Sequence, residues 1–229
     1  MTDMPKHVVV LCHPEETSFN MSVAREYCTA VAAHGHEVVL RDLYRMGFDP
    51  VLKAQEQPQS PAYMRSADVS DEMAIIAGAS VYVLVYPIWF GTPPAMMKGY
   101  VERVLGSGFS HRDVRERSTH PLLTGKHLLS FTSSGTPKQW LDQEGAWLSL
   151  RNVFDYYLEK AFSMKSSKHI HFSAIVEGLA EQFVQEYLED VRVMARKTCS
   201  IVSSERHRAA ANKLMKEAAD PKKRGGRDG

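Results

Sequence analysis

Three apolar runs, each ending in a short loop suited to binding a ligand, constrain this fold more than any other feature. The runs are His7-Val8-Val9-Val10-Leu11-Cys12, Ser80-Val81-Tyr82-Val83-Leu84-Val85-Tyr86 and Lys126-His127-Leu128-Leu129-Ser130-Phe131-Thr132. Short, nearly continuous apolar runs of this kind read as strands buried on both faces, as in a parallel sheet. The first run passes into His13-Pro14-Glu15-Glu16-Thr17-Ser18-Phe19-Asn20. Beyond it Val23, Tyr27, Ala30 and Val31 recur at helical spacing. A strand, a polar loop and a helix form an anion site, because first-turn amides lack intrahelical partners and the helix dipole puts positive charge there. Thr17, Ser18 and Asn20 add short hydrogen-bonding side chains. Two readings stand open: phosphate binding, or simple capping of the helix.

The second run is followed by Pro87-Ile88-Trp89-Phe90-Gly91-Thr92-Pro93-Pro94. Proline stiffens such a loop. A stiff loop at a strand's carboxyl end is suited to hold Trp89 and Phe90 against a flat ligand; the alternative is that they cover the core. Pro94 suits the first turn of a helix carried on by Met97, Tyr100, Val101 and Val104. The third run ends in Thr132-Ser133-Ser134-Gly135-Thr136, a hydroxyl-rich turn whose glycine allows close backbone approach. In open parallel α/β sheets, ligands bind outside the carboxyl ends of the strands. One site built by three loops is therefore the expected arrangement.

The order HPEETSFN, PIWFGTPPAMMKGYVERVL and LLSFTSSGT resembles the NAD(P)H:quinone oxidoreductases of the flavodoxin-like fold, the DT-diaphorase relatives. Arg41-Asp42-Leu43-Tyr44-Arg45-Met46-Gly47-Phe48-Asp49-Pro50 is similar to that family's second strand and following loop. The resemblance spans residues 7–175. It implies a bound flavin (FAD, with FMN as the alternative), NAD(P)H as co-substrate, a quinone-like acceptor and a homodimer. It places His13, Thr17, Ser18, Phe19 and Asn20 around the flavin phosphate and ribityl chain. It places Pro87, Ile88, Trp89 and Phe90 along the ring, and Thr132, Ser133, Ser134 and Gly135 at the ring's polar edge. Where the family carries a Tyr and a His, ungapped matching finds Trp140 and Ala146. Indole N–H only donates, and alanine offers nothing. Charge stabilisation then falls to Thr132–Gly135, with Trp140 shaping the pocket.

Other function classes lose ground on composition. There are 28 basic and 27 acidic residues, so no global field points to nucleic acid. The same balance counts against a flavodoxin-like electron carrier, which docks through complementary charge. Cys12, Cys28 and Cys199 show no metal-ligand spacing and suggest a reducing compartment, the cytoplasm. No metal site is expected: His169 and His171 share one strand face but lack a third ligand, and read as surface or strand-end histidines. No run of 18 apolar residues suggests membrane insertion, and no secretory leader precedes the first strand. Neither G-x-G-x-x-G nor a P-loop follows a strand, and G-x-S-x-G is absent.

The expected order is strand 7–12, helix 19–34, strand 37–42 and a long loop 43–69 with a covering or dimer role. Helix 70–78, strand 80–86 and helix 94–105 follow. A connection at 106–124 leads to strand 126–132, helix 147–162, a fifth strand beginning at His169 and a helix from Ala180 towards Ala219. This predicts a flavodoxin-like, doubly wound sheet of five parallel strands in the order 2-1-3-4-5, with helices on both faces. Residues 1–215 form the flavin-binding domain with its helical extension, and 216–229 a flexible basic tail. The expected activity is ping-pong hydride transfer from NAD(P)H to quinones or related planar acceptors. Trp89, Phe90, Thr132, Gly135 and Trp140 are the expected catalytic group. A flavin-binding accessory subunit of a transport system is the reading from another class.

Overall fold

The apolar runs pair as neighbouring strands of one parallel sheet. The structure, a computed structural model, describes residues 4–219, with side chains to residue 216. The strands are β1 (Lys6–Leu11), β2 (Glu37–Asp42), β3 (Val81–Pro87), β4 (His127–Ser133) and β5 (Ser166–Phe172), in the order β2-β1-β3-β4-β5. This is the expected topology. The helices are α1 (Phe19–Ala33), α2 (Ala67–Ile76), α3 (Ala95–Tyr100), α4 (His111–Glu116), α5 (Lys138–Gln143), α6 (Ala146–Leu150), α7 (Tyr157–Ala161) and α8 (Glu181–Ala219). Two stretches of π-helix, Val101–Leu105 and Arg151–Tyr156, continue α3 and join α6 to α7.

Strand alternation divides the core in two. Val8, Val10, Tyr82, Leu84, Tyr86 and Leu128 pack with Met73, Met97, Tyr100 and Phe154. Val9, Leu11, Val83, Val85, Leu129 and Phe131 face the other way, onto Tyr27 and Val31 of α1 and Leu188, Val191, Ala195, Cys199 and Val202 of α8. That spacing of three and four residues makes one apolar stripe along α8. At the lower end of the sheet, His7 Nδ1 meets the Tyr27 hydroxyl at 2.9 Å and His7 Nε2 meets His36 Nδ1 at 3.0 Å. His36 in turn reaches Ser203 of α8 at 2.9 Å. Burial and the neighbouring His36 push His7 down to about 3. Cys199 lies close enough that the three metal-type donors fall within 4.8 Å of one another. The ring nitrogens of His7 and His36 are, however, all engaged with each other and with hydroxyls.

Several boundaries differ from expectation. β5 begins three residues before His169, because parallel pairing of Ser166, Ser167 and Lys168 with β4 extends a strand that hydrophobicity does not mark. α4 lies inside the expected connection at 106–124, started by Ser110, whose hydroxyl accepts from Asp113 N at 3.3 Å in a capping box. The long loop covers α3 and α2. Arg103, in the π segment, binds Glu56 through both Nε (2.9 Å) and Nη2 (2.7 Å) and reaches Asp68 at 2.9 Å. Gly99 makes the close approach possible: a Cβ there would lie 2.3 Å from the Pro50 carbonyl oxygen. Gly99→Ala is therefore expected to cost about 1–3 kcal/mol or more by overpacking, read as a lower denaturation midpoint at unchanged m-value. The basic tail, including Lys222, Lys223 and Arg224, lies outside the described residues apart from its first few positions.

Candidate functional site

The carboxyl ends of β1, β3, β4 and β5 enclose a cleft of about 590 Å³. Its first wall is the loop after β1 and the start of α1: His13, Glu15, Thr17, Ser18, Phe19, Asn20 and Ser22. Ser18 is the N-cap, and its Oγ accepts from Met21 N at 3.2 Å. The capping reading of this loop is thus realised. It leaves the hydroxyl proton free to be donated and the amides of Phe19 and Asn20 without intrahelical acceptors. No acidic residue occupies the first turn of α1. Arg45 braces the loop from outside, donating to Pro14 O and Glu16 Oε1, each at 2.8 Å.

Pro87, Ile88 and Trp89 form the second wall. The His13 and Trp89 rings lie 5.9 Å apart, so the first two loops touch through them. Burial lowers the pKa of His13, which favours its neutral form. Trp89 and Thr92 exchange backbone hydrogen bonds of 3.1 Å, closing a two-residue turn. Both central residues have positive φ, 50° at Phe90 and 79° at Gly91. Glycine adopts this geometry freely; phenylalanine does so at a cost. The turn throws Phe90 fully into solvent, away from the cleft of its own chain. The expected second aromatic wall is therefore absent from this chain's cleft.

Ser133, Ser134 and Gly135 form the third wall. Asn20 Nδ2 donates to Ser133 Oγ at 2.9 Å and Ile88 N donates to Ser133 O at 2.7 Å, so one serine ties all three loops. Thr132 does not line the cleft. It is fully buried, and its hydroxyl lies between His169 Nε2 (2.7 Å) and His171 Nδ1 (2.9 Å). Alternation explains this: Thr132 shares the face of Ser130, under the helices, whereas Ser133 points towards α1. At Gly135 a Cβ would meet no protein atom nearer than Ile175 O at 3.7 Å, so packing against the chain itself does not require glycine at this turn. Trp140 is half exposed and stands outside the lining.

The fourth wall went unread in the sequence. Ile175, Val176, Glu177, Gly178 and Leu179 follow β5, and Val184 comes from α8. Ile175 N donates to Ser134 O at 2.9 Å, which anchors this loop to the third. The rule that ligands bind beyond strand ends applied to the fifth strand as well. The segment lacks hydroxyl or aromatic side chains that would mark it. His169 and His171 are also not strand-end surface groups; both lie in a buried network beneath the third loop.

Comparison with known proteins places this geometry in a family. The chain is 27% identical over 212 residues to an uncharacterised NAD(P)H oxidoreductase of Haemophilus influenzae, covering 92% of this chain and 98% of that one. It is 34% identical over 147 residues to rat NAD(P)H dehydrogenase (quinone) 1, covering 56% of this chain and 53% of the rat enzyme. Among solved structures, the NAD(P)H:quinone oxidoreductase from Methanothermobacter marburgensis superposes with a TM-score of 0.73 at 22% identity, over 86% and 96% of the two chains. An FMN-dependent NADH-azoreductase from Bacillus anthracis, in complex with FMN, gives 0.63 at 15% identity, over 86% and 100%. Residues 5–195 match the Flavodoxin_2 family, described as a flavodoxin-like fold, and the chain belongs to that family.

Proposed function

We propose that this protein is a flavin-dependent oxidoreductase that accepts hydride from NAD(P)H and passes it to quinones or related planar acceptors. One observation carries the reading: the cleft joins an anion-binding helix start to an indole-walled, hydroxyl-edged slot. The donor set fits the part common to FMN and FAD. Phosphate needs several N–H and O–H donors, and the start of α1 offers them with no acidic residue in its first turn, Glu15 standing in the loop before it. A planar ring needs an apolar wall, which Ile88 and Trp89 supply, and a polar edge, which Ser133, Ser134 and the nearby amides supply. Full-length similarity to an NAD(P)H oxidoreductase supports the donor, and the partial match to a quinone dehydrogenase supports the acceptor.

A bound flavin supplies hydride transfer; the protein positions it and tunes its surroundings. In this assignment Ser18 and the Phe19 and Asn20 amides hold phosphate, with Thr17 beside them. His13 stays neutral and supports Trp89. Ser133 and Gly135 line the edge where negative charge develops, and Ser133 Oγ, which accepts from Asn20, keeps its own proton free to donate. Such a donor can contribute about 2.7–4 kcal/mol in a site sheltered from water. Among the described residues no helix is long and apolar enough to cross a membrane. The three thiols are free, in keeping with a reducing compartment, the cytoplasm.

The same proposal includes a homodimer. Phe90 at its turn tip, and Trp140, Leu148, Val153, Tyr156 and Tyr157 along α5–α7, are exposed large apolar side chains. So many on one stretch of chain mark an association surface. Phe90 would then supply in the partner's site the wall missing from its own. Sedimentation should give a species of twice 25.8 kDa, and Phe90→Asp should shift it towards the single-chain mass without loss of secondary structure. A fully active species of single-chain mass in the unmodified protein contradicts the dimer. The identity of the flavin follows from the mass of the ligand released on denaturation; a purified protein that binds neither FMN nor FAD overturns the functional reading.

A further inference from the structure

β4 and β5 carry a line of polar side chains beneath the third loop. The parallel register sets Ser130 opposite His169 and Thr132 opposite His171. The helical layer covers this line with Trp147, whose ring lies 4.6 Å from His169 and 5.2 Å from His171. It also sends in Asp155, from the π segment. Ser130 Oγ donates to Asp155 Oδ1 at 2.7 Å, and His169 Nδ1 bonds Asp155 Oδ2. His169 Nε2 lies 2.7 Å from Thr132 Oγ1, which lies 2.9 Å from His171 Nδ1. His171 Nε2 lies 3.0 Å from Ser134 Oγ, and that oxygen lies 3.0 Å from the Thr136 carbonyl. Ser130 and Thr132 are fully buried and Asp155 nearly so, whereas Ser134 reaches the cleft wall.

We propose that Asp155, His169, Thr132, His171 and Ser134 form a proton wire that stores one proton at the Asp155–His169 pair and delivers it into the cleft at Ser134. The inference rests on the functional reading above for its purpose. The overall reaction, NAD(P)H plus quinone plus one proton giving NAD(P)⁺ plus quinol, consumes one proton beyond the transferred hydride.

Counting protons along the chain gives two registers. Thr132 has one hydroxyl proton and two imidazole nitrogens beside it, so it donates to one and accepts from the other. In the first register Thr132 donates to His169 Nε2. His169 then holds its proton on Nδ1, against the Asp155 carboxylate. His171 donates from Nδ1 to Thr132, and Ser134 donates to His171 Nε2. In the second register Ser134 donates to Thr136 O and accepts from His171 Nε2–H. Thr132 now donates to His171 Nδ1, and His169 carries protons on both nitrogens beside Asp155. The second register holds one proton more. Every bond between Ser134 and His169 reverses as the extra proton leaves the Asp155–His169 pair: His169 Nε2 gives its proton to Thr132, Thr132 to His171 Nδ1 and His171 Nε2 to Ser134, which releases the proton it had held against the Thr136 carbonyl to the quinone oxygen in the cleft.

The surroundings suit this division. The loaded register is neutral overall, an ion pair closed in by Ser130, which a dry interior favours over a single buried charge. Burial, with His169 and then Lys138 nearby, pushes His171 down to about 4. His171 therefore passes a proton without keeping it. The ionisable groups facing the line are Asp155 and Lys138 from the helical layer and Tyr86 from β3. Burial, with Asp155 nearby, raises Tyr86 well above its ordinary range and keeps it neutral.

The test is ¹⁵N-histidine NMR of the whole protein, with NAD(P)H alone and with NAD(P)H plus quinone, together with the pH profile of quinone reduction. The protonated nitrogen of His171 should switch from Nε2 to Nδ1 in step with loss of the His169 Nε2 proton. Thr132→Val should abolish that coupling and slow acceptor reduction about a hundredfold, the lower end of what a positioned proton donor contributes; Thr132→Ser should retain both. If Thr132→Val leaves the histidine tautomers coupled, the wire is wrong. If coupling is lost while rate and pH profile stay unchanged, delivery at Ser134 is wrong. Coupled histidines in a protein that never turns over NAD(P)H would overturn the functional reading and leave the wire standing.

Discussion

Arg103→Met should destabilise the protein by about 3–5 kcal/mol, the usual cost of removing one partner from a buried ion pair. Arg103 is one of the largest fully enclosed side chains, and Glu56 beside it is almost as inaccessible. Methionine fills much of the volume but leaves the Glu56 carboxylate in the interior without its cation. The pair also anchors the long loop over α3, so that loop should gain proteolytic sensitivity. The pH dependence has a definite sign. The Arg103 guanidinium holds Glu56 down from its ordinary 4.5 to about 2. The pair's contribution is complete above about pH 4.5 and is lost as pH falls towards 2. The gap between the wild-type and Arg103→Met unfolding free energies should therefore narrow on acidification. A denaturant titration showing a loss under about 1 kcal/mol at pH 7 would contradict the burial and pairing described.

Ser18→Asp should reduce flavin affinity by about a hundredfold or more, since placing like charges together costs several kcal/mol. The substitution is informative because aspartate caps a helix as well as serine does. Folding stability should thus hold, and only ligand retention should fall. Ser18→Ala is the complement: it removes the cap acceptor of Met21, costs about 1 kcal/mol of stability, and should affect affinity far less. Equilibrium dialysis with FMN and with FAD, alongside thermal unfolding, separates the two roles. Unchanged flavin affinity in a folded Ser18→Asp protein would remove the phosphate assignment.

The sheet was legible because β1, β3 and β4 are nearly unbroken apolar runs, and such runs bury both faces only in a parallel sheet with helices on each side. The first and third loops were legible for a related reason: short hydroxyl side chains at strand ends have few structural uses besides capping and ligand binding. Phe90 was misread because its direction depends on a turn with positive φ at a non-glycine residue, a conformation composition does not announce. Thr132 was misread by one step of strand alternation; the residue facing the cleft side is Ser133. Beyond Ser173 the loop after β5 offered only aliphatic residues, glycine and one carboxylate, with no marker of ligand chemistry. The buried role of His169 and His171 depended on Asp155. That residue lies 14 positions before His169, and a π segment, which periodicity does not reveal, carries it.

Hydride transfer from NAD(P)H to a planar acceptor through this cleft should fall into two separable halves. Anaerobic rapid mixing of the flavin-loaded protein, first with NADH or NADPH alone and then with a quinone, tests it directly. The nicotinamide alone should bleach the flavin absorbance with release of one equivalent of NAD(P)⁺, and the quinone should then restore it in a single two-electron step. A flavin that binds tightly but is bleached by neither nicotinamide, or that is restored only through separate one-electron steps, would contradict hydride transfer in this cleft.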